Sequence, residues 1–451
     1  MPLEGATQAP MIAAEREKMM GLLSKSIGLI DTENAFKIGP HIAALEAQGK
    51  KVVKCNIGEP DFPLPRFIRE EVKRQIDLDN THYCDPQGLL SLRCAVAKHF
   101  GESRGIRATP ERVVIFPGVK PTIGLVQQAY CDPGDEVIYP SPGFPIYESF
   151  ISYVGACPVP MHLKEEDDFS LSGEYLTPLL SERTKLIILN FPSNPTGAVA
   201  SFQQLEEIAH VIESKCPENV RVYSDEIYED SIFDGAAHNS IISCAGMERI
   251  TILVGGVSKG FSWTGGRIGW ALFPTVEEAM VFKNLNINYF SCVPPYNQEG
   301  ARLALESPLS QEVRRRMVQT YQERRDVVVE GLNTVEGIRC GRPKGAFYVF
   351  PNISGVCEHL GILEAYETLP AEVRKQTSPS TLFQMFLLYE HLVATLDRKS
   401  FGRIGAENRH YLRLSIATDV DSLKEGVERI RKASSDRKGF EAFFEKGEYL
   451  Y

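Results

Sequence analysis

Short apolar runs recur along the first two-thirds of the chain, at residues 113–116, 136–139, 186–189, 220–223 and 251–254. Each is rich in Val, Ile and Leu and is bounded by Gly, Pro, Asn or Asp, which predicts strands buried on both faces. Amphipathic segments of helical length, such as residues 203–213, lie between them. This alternation predicts an α/β domain over residues 70–305, with a mostly parallel sheet sandwiched by helices. In such a sheet, residues that act on a ligand belong at strand ends and in the loops that follow.

After about residue 305 the pattern changes. Long charged helical stretches at 310–332 and 423–433 surround short strand candidates at 346–350 and 411–415. That mixture predicts a smaller α+β domain over 306–451, to which the N-terminal segment 1–69 contributes through residues near 31–60. Residues 351–410 hold a Ser/Thr/Pro-containing and then helical stretch with no readable place, an extended insertion near 352–410.

Composition narrows the class. The 451 residues exceed the roughly 250–300 at which single cores stop growing, so two domains are expected. A net charge of -10, spread without an acidic tail or a basic stripe, argues against a nucleic-acid partner. Residues 1–31 interrupt their apolar stretches with charges and lack a secretory pattern, and no run approaches the ~18 apolar residues of a membrane helix. Ten cysteines lie scattered with no CxxC pair, the usage of reduced thiols rather than disulfides or zinc. A soluble, cytoplasmic protein without a membrane partner is expected.

The strongest chemical signal is Gly255, Gly256, Val257, Ser258 and Lys259, placed just after a predicted strand. A lysine there is open to close backbone approach and to burial, which lowers its pKa and makes it an amine nucleophile. Arg267, eight residues later among glycines, offers a fork suited to phosphate. Asn190 to Gly197 and Tyr223 to Tyr228 close two further strands. Alone, the first is a turn and the second an Asp-capped helix start. Together and in this order they are hard to dismiss.

The set resembles the fold-type-I pyridoxal-5'-phosphate (PLP) aminotransferases, the aspartate aminotransferase superfamily, over residues 56–417. Asn56 to Phe62 (with Gly58-Glu59-Pro60-Asp61), Tyr83 to Gly88, Gly345 to Tyr348 and Arg413 to Ala417 are similar to further signatures of that family. The resemblance implies Lys259 as Schiff base and general base, and Asp225 paired with the pyridine nitrogen. It implies Asn194 and Tyr228 on the ring oxygen, Phe144 stacked on the ring, and a phosphate cradle of Ser258, Arg267 and the N–H groups of Val119 and Lys120. The Lys120 side chain itself reads as solvated. Pro121 suits the first turn of a helix whose start would face the phosphate. Tyr83 is expected to reach the phosphate of a second subunit, giving a homodimer with shared active sites. Arg413, with Asn194 and the Gly58 backbone, is expected to grip the substrate α-carboxylate.

The implied reaction moves an amino group between an L-amino acid and a 2-oxo acid by a ping-pong cycle. A PLP lyase or cyclase, such as a carbon–sulfur lyase or an aminocyclopropane-carboxylate-synthase-like enzyme, uses the same anchors and stays open. A non-catalytic PLP-binding regulator fits poorly, because no basic DNA-binding module precedes the motifs. Two departures stand out. Asp397 to Gly402 replaces a usual Pro-Gly turn, and Gly266 stands where many relatives carry a bulky aromatic, which points to a wider pocket or altered packing.

Overall fold

A computed structural model describes residues 21–31, 33–406, 408–447 and 450. The first twenty residues, part of the stretch read above as lacking a secretory pattern, lie outside them. Among the described residues seven strands form one sheet: β2 (Val113–Phe116), β3 (Glu136–Ser141), β4 (Cys157–His162), β5 (Thr184–Asn190), β6 (Arg221–Asp225), β7 (Thr251–Gly256) and β8 (Gly269–Leu272). Their order is β2-β8-β7-β6-β5-β3-β4, and β8 alone runs antiparallel to its neighbours.

Alternate strand residues face opposite layers, as the two-residue period requires. Ile187 and Leu189 pack with Leu205, Ile208 and Ile212 of the helix Phe202–Lys215. Leu186 and Ile188 pack on the other side with Ile123 and Val126 of the helix Lys120–Tyr130. Helices Leu90–Arg104 and Pro295–Glu306 cover the β2–β8 end through Leu92, Val96, Phe100 and Ala301. Truncating one of these buried leucines or isoleucines to Ala costs roughly 2–5 kcal/mol, so the sheet is a stiff platform.

Register brings the chemistry to one edge. Asn190 lies opposite Asp225, Gly256 opposite Gly269, and Phe116 opposite Gly269. The C-terminal ends of β2, β5, β6 and β7 therefore open onto the same rim.

Beyond the sheet, β1 (Val53–Lys54) pairs in parallel with β10 (Val393–Ala394), and β11 (Leu396–Asp397), β12 (Leu412–Ser415) and β9 (Tyr348–Val349) form an antiparallel sheet in that order. Helices Leu309–Leu332 and Val420–Ala433 close over them through Val328, Leu332, Val427 and Ile430. The stretch left without a place in the sequence folds here. It supplies helices Ser354–His359, Ile362–Thr368, Ala371–Arg374 and Pro379–His391, then β10 and β11. Every residue from Pro379 to Leu388 is buried, so that helix shows no polar face to the sequence reader. No helix among the described residues is long and apolar enough to cross a membrane.

Candidate active site

The rim encloses a cavity of about 510 Å³. Lys259, Asp225, Tyr228, Asn194, Ser258, Arg267, Val119, Lys120, Phe144, Gly58 and Arg413 all line it. Tyr83 does not: it is 88% exposed and stands outside the cavity of its own chain.

Asn190 joins the strand ends. Its side-chain amide donates to the Asp225 carbonyl (3.1 Å), and its Oδ1 accepts from the Asn194 backbone N–H (3.0 Å). Asp225 is only 4% exposed. The Tyr147 hydroxyl donates to its Oδ2 at 2.7 Å and the Ile227 N–H to its Oδ1 at 3.3 Å. Burial pushes the Asp225 carboxyl up to about 6 against those two hydrogen bonds. A buried acid held by one phenol and one amide is poised for a cationic partner.

Lys259 belongs to a single helical turn, Val257–Gly260, that follows β7 directly rather than to an open loop. Its Nζ donates to the Gly58 carbonyl at 2.6 Å and lies 5.8 Å from the Phe347 ring centre. Burial pulls its pKa down to about 8, although the Glu33 and Glu59 charges oppose that. At pH 7.5 this raises the neutral amine from ~0.1% for an ordinary lysine to roughly a quarter. The nucleophilic form is then abundant.

The end of the cavity near β2 is built for an anion. Gly118 adopts φ +90°, and a Cβ there would lie 2.2 Å from Arg267 Nη2. A Cβ on Gly269 would meet the Gly118 carbonyl carbon and the Val119 nitrogen at 2.6 Å. Only glycines let these segments close up. The helix Lys120–Tyr130 starts at this point with Pro121 in its first turn, and its first residues line the cavity together with Ser258 and Arg267. A helix start is where backbone N–H groups lack intrahelical partners and favour an anion. Arg267 is anchored through the Thr264 carbonyl (2.8 Å) and the Pro117 carbonyl (3.2 Å) while staying exposed.

Arg413, on β12, enters from the opposite side and is 4% exposed. Nη1 donates to Asn194 Oδ1 at 3.1 Å, Nη2 donates to the Asn56 carbonyl, and the guanidinium sits 4.5 Å from the Tyr348 ring centre. Among the described residues its Nε has no hydrogen-bond partner. A buried guanidinium with spare donors is a carboxylate acceptor by chemistry. Gly58 stands beside it, and a Cβ at Gly58 would lie 2.0 Å from the Tyr348 hydroxyl. Tyr228 shares a 2.7 Å hydrogen bond with that same hydroxyl.

Several site residues escaped the sequence reading. Tyr147, Tyr348, Glu33 and Phe36 line the cavity. Tyr348 was visible only as the end of a small-domain signature, and Tyr147 only as a tyrosine three residues after Phe144. Nothing in the sequence marks Glu33, whose carboxylate pairs with Lys120 Nζ between the rings of Phe36 (5.8 Å) and Phe144 (5.6 Å). The Lys120 side chain is thus paired at the cavity mouth, not simply solvated. At Gly266 the departure is one of packing. A Cβ there would meet the Trp263 ring at 2.3 Å, and one at Gly300 would meet the same ring at 2.9 Å, so Trp263 fills the space between two glycines. At the other departure Arg398 is buried, donating to the Phe401 and Gly402 carbonyls and to Ser141 Oγ, and does not line the cavity.

A doubly covered sheet whose strand ends gather a lysine of lowered pKa, a buried acid, an anion cradle and a buried guanidinium is the framework of an enzyme working on amino acids. The chain belongs to the aminotransferases of class I and II, whose family model matches residues 50–430. It is similar to a probable aspartate/prephenate aminotransferase of Aquifex aeolicus, 36% identical over 86% of this chain and 92% of that one. Among solved structures it resembles the aspartate aminotransferase of Rhizobium meliloti (TM-score 0.81, 29% identity, covering 91% and 98%). It equally resembles that of Thermus thermophilus with maleate (TM-score 0.80, 29% identity, covering 91% and 99%). The protein is a transaminase, and these relatives support that reaction over the lyase and cyclase alternatives.

Proposed function

We propose that the cavity holds pyridoxal 5'-phosphate on Lys259 and that the enzyme transfers amino groups to and from dicarboxylic amino acids. The carrying observation is that a lysine pushed toward its neutral form and a buried acid pushed toward its own neutral form line one cavity. The residues fit the cofactor. The glycine-walled cradle with Ser258, Arg267 and the N–H groups of Val119 and Lys120 suits a phosphate, and Asp225 suits a pyridinium nitrogen. Asn194 and Tyr228 suit a ring oxygen, with Phe144 against the ring face. Bound pyridoxal phosphate supplies an electron sink conjugated to the substrate Cα.

Asp225 keeps the ring nitrogen protonated, which strengthens that sink. With that group bound, the Lys259 amine would be the base that takes the proton from the substrate Cα and gives it back, since it is the amine that lines the cavity with its pKa drawn down. Arg413 grips the α-carboxylate, with Asn194 and the Gly58 backbone alongside, and so presents the Cα–H bond rather than the carboxylate to the ring system. Lys120 is a further cation at the cavity mouth, and the relatives' names point to a side-chain carboxylate as its partner. Tyr83, fully outward, serves the phosphate of a second copy, so the working unit is a homodimer. Residues 70–305 form the cofactor-binding domain, and the described residues after 305 form the smaller one, to which the described part of the N-terminal segment before residue 70 contributes. Ten free thiols support a reducing, cytoplasmic setting.

The test is a half-reaction. Holoenzyme given L-aspartate alone should form one equivalent of 2-oxo acid and of the aminated cofactor, then stop. Repeated turnover without an acceptor, or no cofactor uptake, would reject the proposal.

A further inference from the structure

Beside the cavity but not lining it lies a buried cluster of charges. The turn after β6 divides its side chains: Asp225 and Tyr228 line the cavity, whereas Glu226, Glu229 and Asp230 do not. Glu226 is 2% exposed, and its two oxygens accept four hydrogen bonds. Ser224 Oγ (2.9 Å) and Ser240 Oγ donate to Oε1, and Arg104 Nη2 (2.7 Å) and His238 Nε2 (2.6 Å) donate to Oε2. That fills the capacity of a carboxylate. The same Arg104 Nη2 bridges to Glu229, which also meets His99 at 3.1 Å.

Asp230 carries the connection to the lysine. It pairs with Arg314 at 2.9 Å, and a Cβ on Gly260 would lie 2.1 Å from its Oδ2. Its carboxylate thus leans on the residue next to Lys259. Two neighbouring sets of charged contacts therefore brace the turns that bear the reactive groups: the Arg104, Glu226, Glu229 and His238 cluster beside Asp225, and the Asp230–Arg314 pair against Gly260. Burial disfavours the Glu226 charge, but His238 and Arg104 outweigh it and hold the group ionised. The Glu226 carboxylate is fully satisfied, although Arg104 Nε beside it has no partner among the described residues, and a buried carboxylate held by four donors favours a single geometry.

We infer that Glu226 is a positioning residue: pinned by Arg104, His238, Ser224 and Ser240, it sets the turn that aims Asp225 and Tyr228 at the cofactor. It touches neither substrate nor cofactor. The inference rests on the cofactor reading above, and the parent enzyme's visible band on adding pyridoxal phosphate tests that reading separately.

The experiment uses reconstituted holoenzyme. Glu226→Gln should lower kcat at least 10-fold while the amino-acid KM stays within threefold, because Arg413 reaches the substrate from β12, outside the braced turns. The pH midpoint of the cofactor's visible band should move by at least about half a unit. In the cofactor-free protein, backbone amides of residues 225–230 should exchange with deuterium faster. Removing a buried charge partner can cost the fold itself, so Ser240→Ala and His238→Asn, each deleting one contact, are measured alongside and should shift kcat and midpoint the same way by smaller amounts. Unchanged kcat and midpoint in Glu226→Gln would overturn the inference. So would an equal loss in kcat and KM with an unmoved midpoint, or, if that variant does not fold, unchanged values in both single-contact variants.

Discussion

Asp225→Asn should make the cofactor-free protein more stable while disabling the holoenzyme. The Asp225 carboxyl, 4% exposed, is pushed up to about 6, against an ordinary value of 3.8. Between those values the folded protein binds more protons than the unfolded chain, so stability falls as pH rises from about 4 through 6 and then levels off. With these two values, the raised pKa costs the fold about 1 kcal/mol at pH 4.5, where only the unfolded chain is mostly ionised, and about 3 kcal/mol at pH 7. Asn has the same shape, carries no charge to desolvate, and can still accept from Tyr147. The gain of Asp225→Asn should therefore be about 2 kcal/mol larger at pH 7 than at pH 4.5, whatever constant offset the amide introduces. Urea denaturation of cofactor-free parent and variant at the two pH values measures that difference. A pH-independent difference, or one larger at pH 4.5, would refute the claim that burial sets this carboxyl.

Three further outcomes follow from the site. Lys259→Ala should abolish the visible cofactor band and the adduct that borohydride locks in place; a reducible lysine adduct elsewhere, found by peptide mass mapping, would reassign the covalent link. Arg413→Lys loses the fork that reaches Asn194 and Asn56, and should reduce kcat/KM for amino acids by roughly 100-fold, about 2.7 kcal/mol, while cofactor affinity stays near parental. Glu33→Gln frees Lys120 from its ion pair, and should raise kcat/KM for aspartate relative to alanine by roughly 3- to 10-fold; steady-state comparison of the two donors checks it, and an unchanged ratio would remove Lys120 from side-chain recognition.

The parts of the fold visible in the sequence were those with two-sided burial. Residues 186–189 and 251–254 are continuous apolar runs because both faces of β5 and β7 are covered. β4 was missed because Pro158 and Pro160 break the pattern; it is an edge strand, where prolines are tolerated since one side needs no ladder bonds. β8 was hidden inside the glycine-rich stretch after Lys259, where the motif drew the reading toward a loop. Among the site residues, Lys259, Asp225, Arg267 and Arg413 sit in segments with local signatures. Tyr147 and Glu33 reach the cavity only through tertiary packing, and no spacing rule connects Tyr147 to Asp225 across 78 positions. Tyr83 lies beyond what one chain's geometry can place.

What made the site legible is the same thing that makes it unstable. An aspartate at the end of an apolar strand and a lysine after a glycine pair break the local preference for neutral residues in buried places. The structure turns both irregularities into displaced ionisation: an acid drawn up to about 6 and an amine drawn down to about 8. At pH 7 each is still mostly charged, and each is charged against the pull of its surroundings. A ligand that brings a cationic nitrogen to Asp225 and takes the lysine amine into a covalent bond removes both penalties at once. Folding stability and cofactor binding must then be linked, since whatever relieves the folded state without acting on the unfolded chain raises its stability. The surrounding sheet, with its stiff aliphatic layers, is what allows two such groups to be held in place before that ligand arrives.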